Sequence, residues 1–231
     1  MTAPPVASPA RAGRRRALPA PLPRRFFNRS PLRVAQDLLG RLLVRRLPTG
    51  VALARIVEVE AYLGQKDPAA HAAAGLTRRN AVLFGPPGHA YVYLSYGLHE
   101  CLNVSTLPAG RAGGVLFRAL ELLPAVGDRL RAALLDRAPT PHPARLLTGP
   151  GRLTRALAIT RAFNGCDLAR RGELYLARGR RPERIAASPR IGISKAAELP
   201  LRFFLPDSPA VSASRRSLHA LAFRRGAWRP V

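Results

Sequence analysis

The segment from residue 41 to residue 63 most strongly limits how this chain can fold. Its two halves, RLLVRRL and VALARIVEVEAYL, are rich in branched apolar residues and flank a PTG turn at 48–50. Two such runs around a turn predict antiparallel strands joined as a hairpin. In the second strand, side chains alternate between faces, so Glu58, Glu60 and Tyr62 are expected on one face and the valines on the other.

Further segments extend this pattern into one domain. Ser30 and Pro31 predict the start of a helix that Gly40 ends. Because hairpins outnumber strand–helix–strand units, we predict an α+β fold with a curved, mostly antiparallel β-sheet packed by helices. The other expected elements are strands in HAYVYLSYG, GGVLFRALE and ELYLARG, a helix in GPGRLTRALAI, a short turn or helix around NVST, a loop at NGCDL, and the closing segments RIGIS and LRFFL.

The net charge of +25 and pI near 11.9 indicate a polyanionic partner. Nucleic acid is the commonest polyanion in a cell, and anionic membrane is the alternative. Only Lys66 and Lys195 among the 38 basic residues are lysine, so part of the arginine excess fits a coding preference. No apolar run approaches the roughly 18 residues that span a bilayer, which predicts a soluble protein.

Both ends of the chain are expected to be basic, disordered tails. Residues 1–25 hold six Pro, six Ala and six Arg without an acid, a mixture that cannot build a core. They lack the apolar stretch of a secretory signal and leave an organelle transit peptide open. The arginine-rich residues 213–231 are the second expected tail, which places the ordered domain at 26–212.

No metal or nucleotide cofactor is expected, because the sequence lacks a P-loop, a dinucleotide fingerprint, a deaminase zinc motif and zinc-finger spacing. Cys101 and Cys166 form neither a close pair nor a metal-like cluster. They are interpreted as reduced, mostly buried thiols of a cytosolic-type compartment.

Several polar side chains interrupt apolar strands, and each has a structural and a functional interpretation. Glu58 and Glu60 are either a solvated face or a site, and the long loop after them contains His71. Asn103 is either a structural hydrogen-bonding group or a reader of a ligand. Arg118 needs a carboxylate partner, for which Glu60 is a candidate.

The tyrosines of YVYLSYG are concentrated in one strand and the turn after it. Tyr91 and Tyr93 share a strand face, whereas Tyr96 precedes Gly97 at the turn. They are either core and surface rings or platforms on which bases stack, a contact worth roughly 1–3 kcal/mol per base.

Taken in order, these motifs resemble the alkyladenine (3-methyladenine) DNA glycosylase family that does not use a helix-hairpin-helix. The resemblance covers about 26–212, and the two tails lie outside it. The matching motifs are EAYLG at 60–64, His71, TRRN at 77–80, YVYLSYG at 91–97, CLNVS at 101–105, VLFRALE at 115–121, TGPGRLTRALAI at 148–159, RIGIS at 190–194 and PLRFF at 200–204.

The resemblance implies roles for the residues of a catalytic centre. Glu60 would be the general base that deprotonates a water, Arg118 would help to hold that water, and the carbonyl of Ile191 would be its third partner. Tyr96 would enter the minor groove and fill the gap that a flipped nucleotide leaves. Asn103 would block the exocyclic amine of normal guanine.

The pocket that sandwiches the extruded base would be formed by Tyr62, His71 and Tyr93. His99 and Glu100 replace positions that are apolar or aromatic in better-known members, which bears on substrate range. The implied activity is release of alkylated or deaminated purines from duplex DNA by a monomeric enzyme without a cofactor, located in the cytoplasm at the nucleoid, or in the nucleus of a eukaryote.

Two other interpretations remain open at this stage. A non-catalytic nucleic-acid-binding protein accounts for the charge but not for Glu60 and Arg118 in apolar strands. A lyase-type glycosylase needs a reactive amine, for which Lys66, Lys195 and the N-terminus are available, and neither lysine lies in such a motif.

Overall fold

The computed structural model of the protein describes residues 17–124, 126–212 and 221–224. In these residues the fold is α+β, as predicted, with one curved sheet and short helices around it. The helices are α1 Arg24–Phe27, α2 Pro31–Leu38, α3 Ala81–Phe84, α4 Asp128–Arg137 and α5 Pro150–Ala156. The strands are β1 Leu42–Leu47, β2 Gly50–Tyr62, β3 Ala90–Ser95, β4 His99–Ser105, β5 Gly114–Leu122, β6 Leu174–Ala177, β7 Arg184–Ser188, β8 Arg202–Phe204 and β9 Leu221–Arg224.

Strand β2 is the centre of the sheet. Its first half forms the predicted hairpin with β1, its second half pairs with β8, and β5 pairs along most of its length, always antiparallel. The sheet runs in the order β3-β4-β5-β2-β8-β7-β9, and β6 pairs with β1. A register irregularity interrupts the pairing of β2 with β5 at Glu58, which pairs with Ala119, while Val59 pairs with Phe117 and Arg118 is left out of the register.

The hydrophobic core lies on one face of β2. Val57, Val59 and Ala61 are fully buried there with Phe117 of β5 and Phe203 of β8. Helix α2 packs against β2 and β5, and α5 packs against β4 and β5. Ser30 caps α2 by accepting a hydrogen bond from the Arg33 N–H at 3.4 Å. The alternation therefore leaves the opposite face of β2 to the glutamates.

Several elements differ from the sequence-based expectation. The segment around NVST is part of strand β4 instead of a turn or helix, because Leu102 and Val104 enter the core and the strand pairs on both sides. Helices α1, α3 and α4 and strand β7 were not anticipated. Both cysteines are free thiols, Cys101 buried and Cys166 half-buried.

Backbone structure extends past both expected domain boundaries. Pro21 bridges to Ala177, Leu22 is buried, and Arg24 pairs with Asp167 at 2.5 Å, so these parts of the expected N-terminal tail pack on the domain. Strand β9 lies inside the expected C-terminal tail and pairs with β7. Residues 1–16, 213–220 and 225–231 lie outside the described residues, and disorder there stays a prediction.

Candidate active site

The carboxylate of Glu60 is fully buried and receives three hydrogen-bond or ion-pair contacts. The backbone N–H of Ile191 donates to Oε1 at 2.8 Å, and the Tyr62 hydroxyl donates to Oε2 at 3.0 Å. The Arg118 guanidinium lies 3.2 Å from Oε1. These contacts confirm that Glu60 and Tyr62 share a strand face and that Glu60 is a partner of Arg118.

Glu58 is a second buried carboxylate one step earlier on the same face. It accepts from Arg118 Nε at 3.0 Å and from Arg202 Nε at 2.7 Å. The amide and hydroxyl of Ser212 also donate to it, at 2.7 and 2.6 Å. Glu58 is thus saturated with donors and holds Arg118 in place, so that the guanidinium reaches Glu60.

Burial and charge act in opposite directions on this cluster. Desolvation raises the pKa of Glu60, while Arg118, the Ile191 N–H and the Tyr62 hydroxyl favour its ionised form. Burial works against the charge of Arg118, but Glu60 and Glu58 together raise its pKa above the ordinary value. Burial, and after it the charge of Glu60, raises the pKa of Tyr62, which keeps its hydroxyl protonated as a donor.

A cavity of about 600 Å³ opens over this cluster. Glu60 itself lies beneath the cavity surface, whereas Tyr62, Arg118 and Ile191, which contact it, all line the wall. The volume is in the range of pockets that take small organic ligands. The predicted residues that meet in this one cavity are Tyr62, His71, Tyr93, Tyr96, Asn103, Arg118 and Ile191.

His71 and the strand tyrosines form one aromatic wall of the cavity. The rings of His71 and Tyr93 meet edge to face with centroids 4.4 Å apart. Tyr91, which was not predicted as a site residue, stacks on Tyr93 at 5.4 Å, and its hydroxyl lies 2.9 Å from His71 Nδ1. Burial, and then the charge of Arg79, lowers the pKa of His71, which favours a neutral imidazole.

The position of Asn103 agrees with both interpretations of this residue, the structural one and the ligand-reading one. Its side-chain amide is buried and donates to the Tyr91 carbonyl of the paired strand at 3.2 Å. The residue also lines the cavity. The structural hydrogen bond therefore fixes the side chain at the cavity wall, where a ligand would meet it.

The turn between β3 and β4 projects Tyr96 from the cavity rim. The residue is 87% exposed, and its backbone has a φ of 49°, in the left-handed region that a tyrosine adopts at a cost of about 1–3 kcal/mol. Gly97 follows with a φ of 71°, and Leu98 is also exposed. The hairpin thus presents an apolar tip at the cavity mouth.

His99 and Glu100 lie differently with respect to the cavity. His99 lines it beside Gly151, where any Cβ would come within 2.8 Å of the imidazole. Glu100 lies outside the lining residues and pairs with Arg161 at 3.3 Å. Of the two departures from the family pattern, His99 is therefore the one that can contact a ligand.

Two buried residues of the site gave no sequence signal. Arg190 and Asp67 form a fully buried ion pair behind Tyr62. A lone Asp in a loop and an Arg before an apolar segment are typical of surface residues. Their positions were the missed indication, because Arg190 opens the RIGIS motif and Asp67 follows EAYLG by three residues.

Within residues 17–124, 126–212 and 221–224, no three His, Cys, Asp or Glu side chains come together as metal ligands. In the same part of the chain, no helix has the length and apolarity to cross a bilayer.

Comparisons with known proteins agree on one family. The family model described as methylpurine-DNA glycosylase matches residues 25–209. Relatives whose names contain "3-methyladenine DNA glycosylase" occur in Koribacter versatilis, 54% identical over 85% of this chain and 95% of the relative, and in Methanocella arvoryzae, 48% identical over 83% and 95%. A relative of that name from Streptomyces avermitilis is 43% identical over 84% and 92%.

Proposed function

The chain belongs to the methylpurine-DNA glycosylase family, and from this membership and the site geometry we propose that it releases alkylated or deaminated purines from duplex DNA. It extrudes the damaged nucleotide into the cavity and hydrolyses the N-glycosidic bond with a water that Glu60 activates, leaving an abasic site. The substrates proposed are 3-methyladenine, hypoxanthine and ethenoadenine.

The observation that carries the proposal is the position of Glu60 beneath an aromatic cavity. A carboxylate with no exposure to solvent, a raised pKa and an arginine partner is the arrangement expected of a general base. A solvated strand face, the alternative from the sequence, would leave Glu58 and Glu60 exposed.

In the proposed reaction, water attacks C1′ of the flipped nucleotide while its proton passes to Glu60. The bond between C1′ and the purine nitrogen breaks, and its electron pair leaves with the base. Alkylation at a ring nitrogen gives the purine a positive charge, so it departs as a neutral molecule, whereas an uncharged lesion such as hypoxanthine departs as an anion and takes its proton from a second water. The attacking water donates to Oε2 of Glu60, which accepts it beside the hydrogen bond from the Tyr62 hydroxyl, and Arg118 at the cavity wall orients the water.

The cavity and the hairpin tip have different roles in base flipping: the cavity binds the extruded base, and the tip fills the gap that it leaves. Tyr62, His71 and Tyr93 line the cavity, where they would sandwich the extruded base. Unstacking costs a few kcal/mol, which Tyr96 offsets by occupying the gap in the duplex. Asn103 crowds the exocyclic amine of undamaged guanine.

The lyase alternative loses support, because neither lysine of the chain lines the cavity and both Lys66 and Lys195 are exposed. A purely binding role would not require a buried carboxylate beneath a ligand-sized cavity.

The test is incubation with a duplex that contains one hypoxanthine or one ethenoadenine, under single-turnover conditions. We expect free base in solution and a strand that breaks only after alkali is added. Binding without base release would favour the non-catalytic alternative. Strand cleavage without alkali would favour the lyase.

A further inference from the structure

A buried ion pair lies directly behind Tyr62. Arg190 Nη1 and Nη2 donate to the two oxygens of Asp67 at 2.6 and 2.9 Å, and both side chains are fully buried. Arg190 Nη1 also donates to the Ala61 carbonyl at 3.1 Å. The two donors of one planar group thus bind one carboxylate, the strongest and most directional form of such a pair.

The guanidinium of Arg190 stacks on the ring of Tyr62, 4.6 Å from its centroid. Tyr62 lines the cavity, whereas Arg190 does not. The ring therefore separates the guanidinium from the cavity, and its other face is the one available to a ligand.

Asp67 is held as an anion by its surroundings. Besides Arg190, the backbone N–H groups of Leu63 and Ala69 donate to it at 3.0 and 3.1 Å. Burial opposes its ionisation, yet the Arg190 hydrogen bonds and these amides hold its pKa below the ordinary value. The pair is therefore neutral as a whole.

That neutrality matters to a charged ligand. An aromatic face attracts a cation. When one face of a ring already holds a cation, the opposite face binds a second cation less well unless the charge of the first is neutralised. In a poorly solvated environment, an uncompensated guanidinium one ring away would repel a cationic base. We propose that Asp67 is a specificity-determining positioning residue: it neutralises Arg190 behind Tyr62, so that the front of the ring accepts cationic, alkylated purines as well as neutral ones.

This inference rests on the proposed function, since it requires a base to stack on Tyr62. It distinguishes two lesion classes by charge, with 3-methyladenine carrying a positive ring in DNA and hypoxanthine carrying none. Among the described residues, those that line the cavity include no acidic side chain. Neutralisation from behind the ring is thus the contribution of Asp67.

The test is Asp67→Asn, which keeps size and one acceptor but removes the charge. Single-turnover release of 3-methyladenine, with its spontaneous release subtracted, and of hypoxanthine is measured on one preparation, so that the fraction of folded enzyme cancels in the ratio. We expect the ratio of cationic to neutral release to fall at least about tenfold. Asp167→Asn, which removes the same charge from the ion pair with Arg24, is the matched control and should leave the ratio unchanged.

The double variant Asp67→Asn with Arg190→Met removes both charges and should restore the wild-type ratio. An equal fall for both lesions in Asp67→Asn would mean that the pair only supports the fold and would overturn the proposal, as would failure of both variants to fold. If wild type releases neither base, the proposed function fails instead. If wild type releases both and the ratio does not move, only this inference fails.

Discussion

At the scale of single residues, the site places a carboxylate where ionisation is costly and then surrounds it with donors. Burial raises the pKa of Glu60, which makes it a stronger base than an exposed glutamate, and Arg118 with the Ile191 N–H and the Tyr62 hydroxyl offsets part of that cost. Glu58 does not share this balance, because four donor groups occupy its oxygens. We therefore propose different tasks for the two neighbouring glutamates, positioning for Glu58 and chemistry for Glu60.

Tyr62→Phe tests this balance through pH. The hydroxyl stabilises the Glu60 carboxylate and so lowers its pKa, and removing it should raise that pKa further while the stacking ring remains. Since only the ionised carboxylate accepts the proton from water, the acidic limb of the single-turnover pH–rate profile should move to higher pH. Tyr175→Phe, which removes a buried hydroxyl bonded to the Pro19 carbonyl, is the control. If the acidic limb stays in place, the rate does not depend on the ionisation of Glu60, which would contradict this prediction.

At the scale of elements, the β3–β4 hairpin holds an exposed, strained tyrosine at the cavity mouth. The left-handed backbone at Tyr96 and Gly97 turns the ring outward, away from any core contact. A strained backbone at a residue whose ring makes no core contact indicates that the ring has a function in binding a partner.

Tyr96→Ser should weaken binding to a lesion duplex without changing the chemistry on a flipped base. The loss should be larger for a well-paired lesion than for a mismatched one, because a mismatched base unstacks more easily. Competition binding with both duplexes measures this difference. An equal loss for undamaged duplex would mark Tyr96 as a general DNA contact.

The elements also show how far the sequence alone leads. Alternation located β2, and with it the shared face of Glu60 and Tyr62, because a strand exposed to two environments repeats every second residue. Strand β4 was not predicted because Asn103 and Ser105 have a low preference for strands. Pairing with β3 and β5 overrides that preference in the folded protein. The Asp67–Arg190 pair escaped because its partners lie 123 residues apart and only tertiary structure joins them.

At the scale of the whole molecule, the chain carries a net charge of +25. The buried ion pair of the site, Asp67 with Arg190, is by contrast neutral. We therefore expect the surface charge and the pocket to have separable effects, one on DNA affinity and the other on rate. The structure places residues near 21–24 in the domain, so a test of the N-terminal charge has to spare them.

Removal of residues 1–16, with Arg11, Arg14, Arg15 and Arg16, should flatten the dependence of log affinity on log salt. Each phosphate that the shortened chain no longer neutralises reduces the slope by about 0.9 on duplex DNA. The single-turnover rate at saturating enzyme should stay unchanged, since every residue of the proposed catalytic centre lies elsewhere in the chain. An unchanged slope would mean that these arginines do not contact DNA and reflect coding preference. A collapse of the rate would mean that the segment is part of the folded domain.

The central claim, that Glu60 activates the water that breaks the glycosidic bond, is tested most directly by single-turnover release of hypoxanthine by Glu60→Gln. The substitution keeps shape and one hydrogen-bonding oxygen but removes the base, and Glu173→Gln, at an exposed carboxylate paired with Arg45, is the matched control. We predict a fall in rate on the order of 10²–10⁴ for Glu60→Gln, with lesion affinity nearly intact and the control at wild-type rate. Release at a near-normal rate by Glu60→Gln would contradict the account.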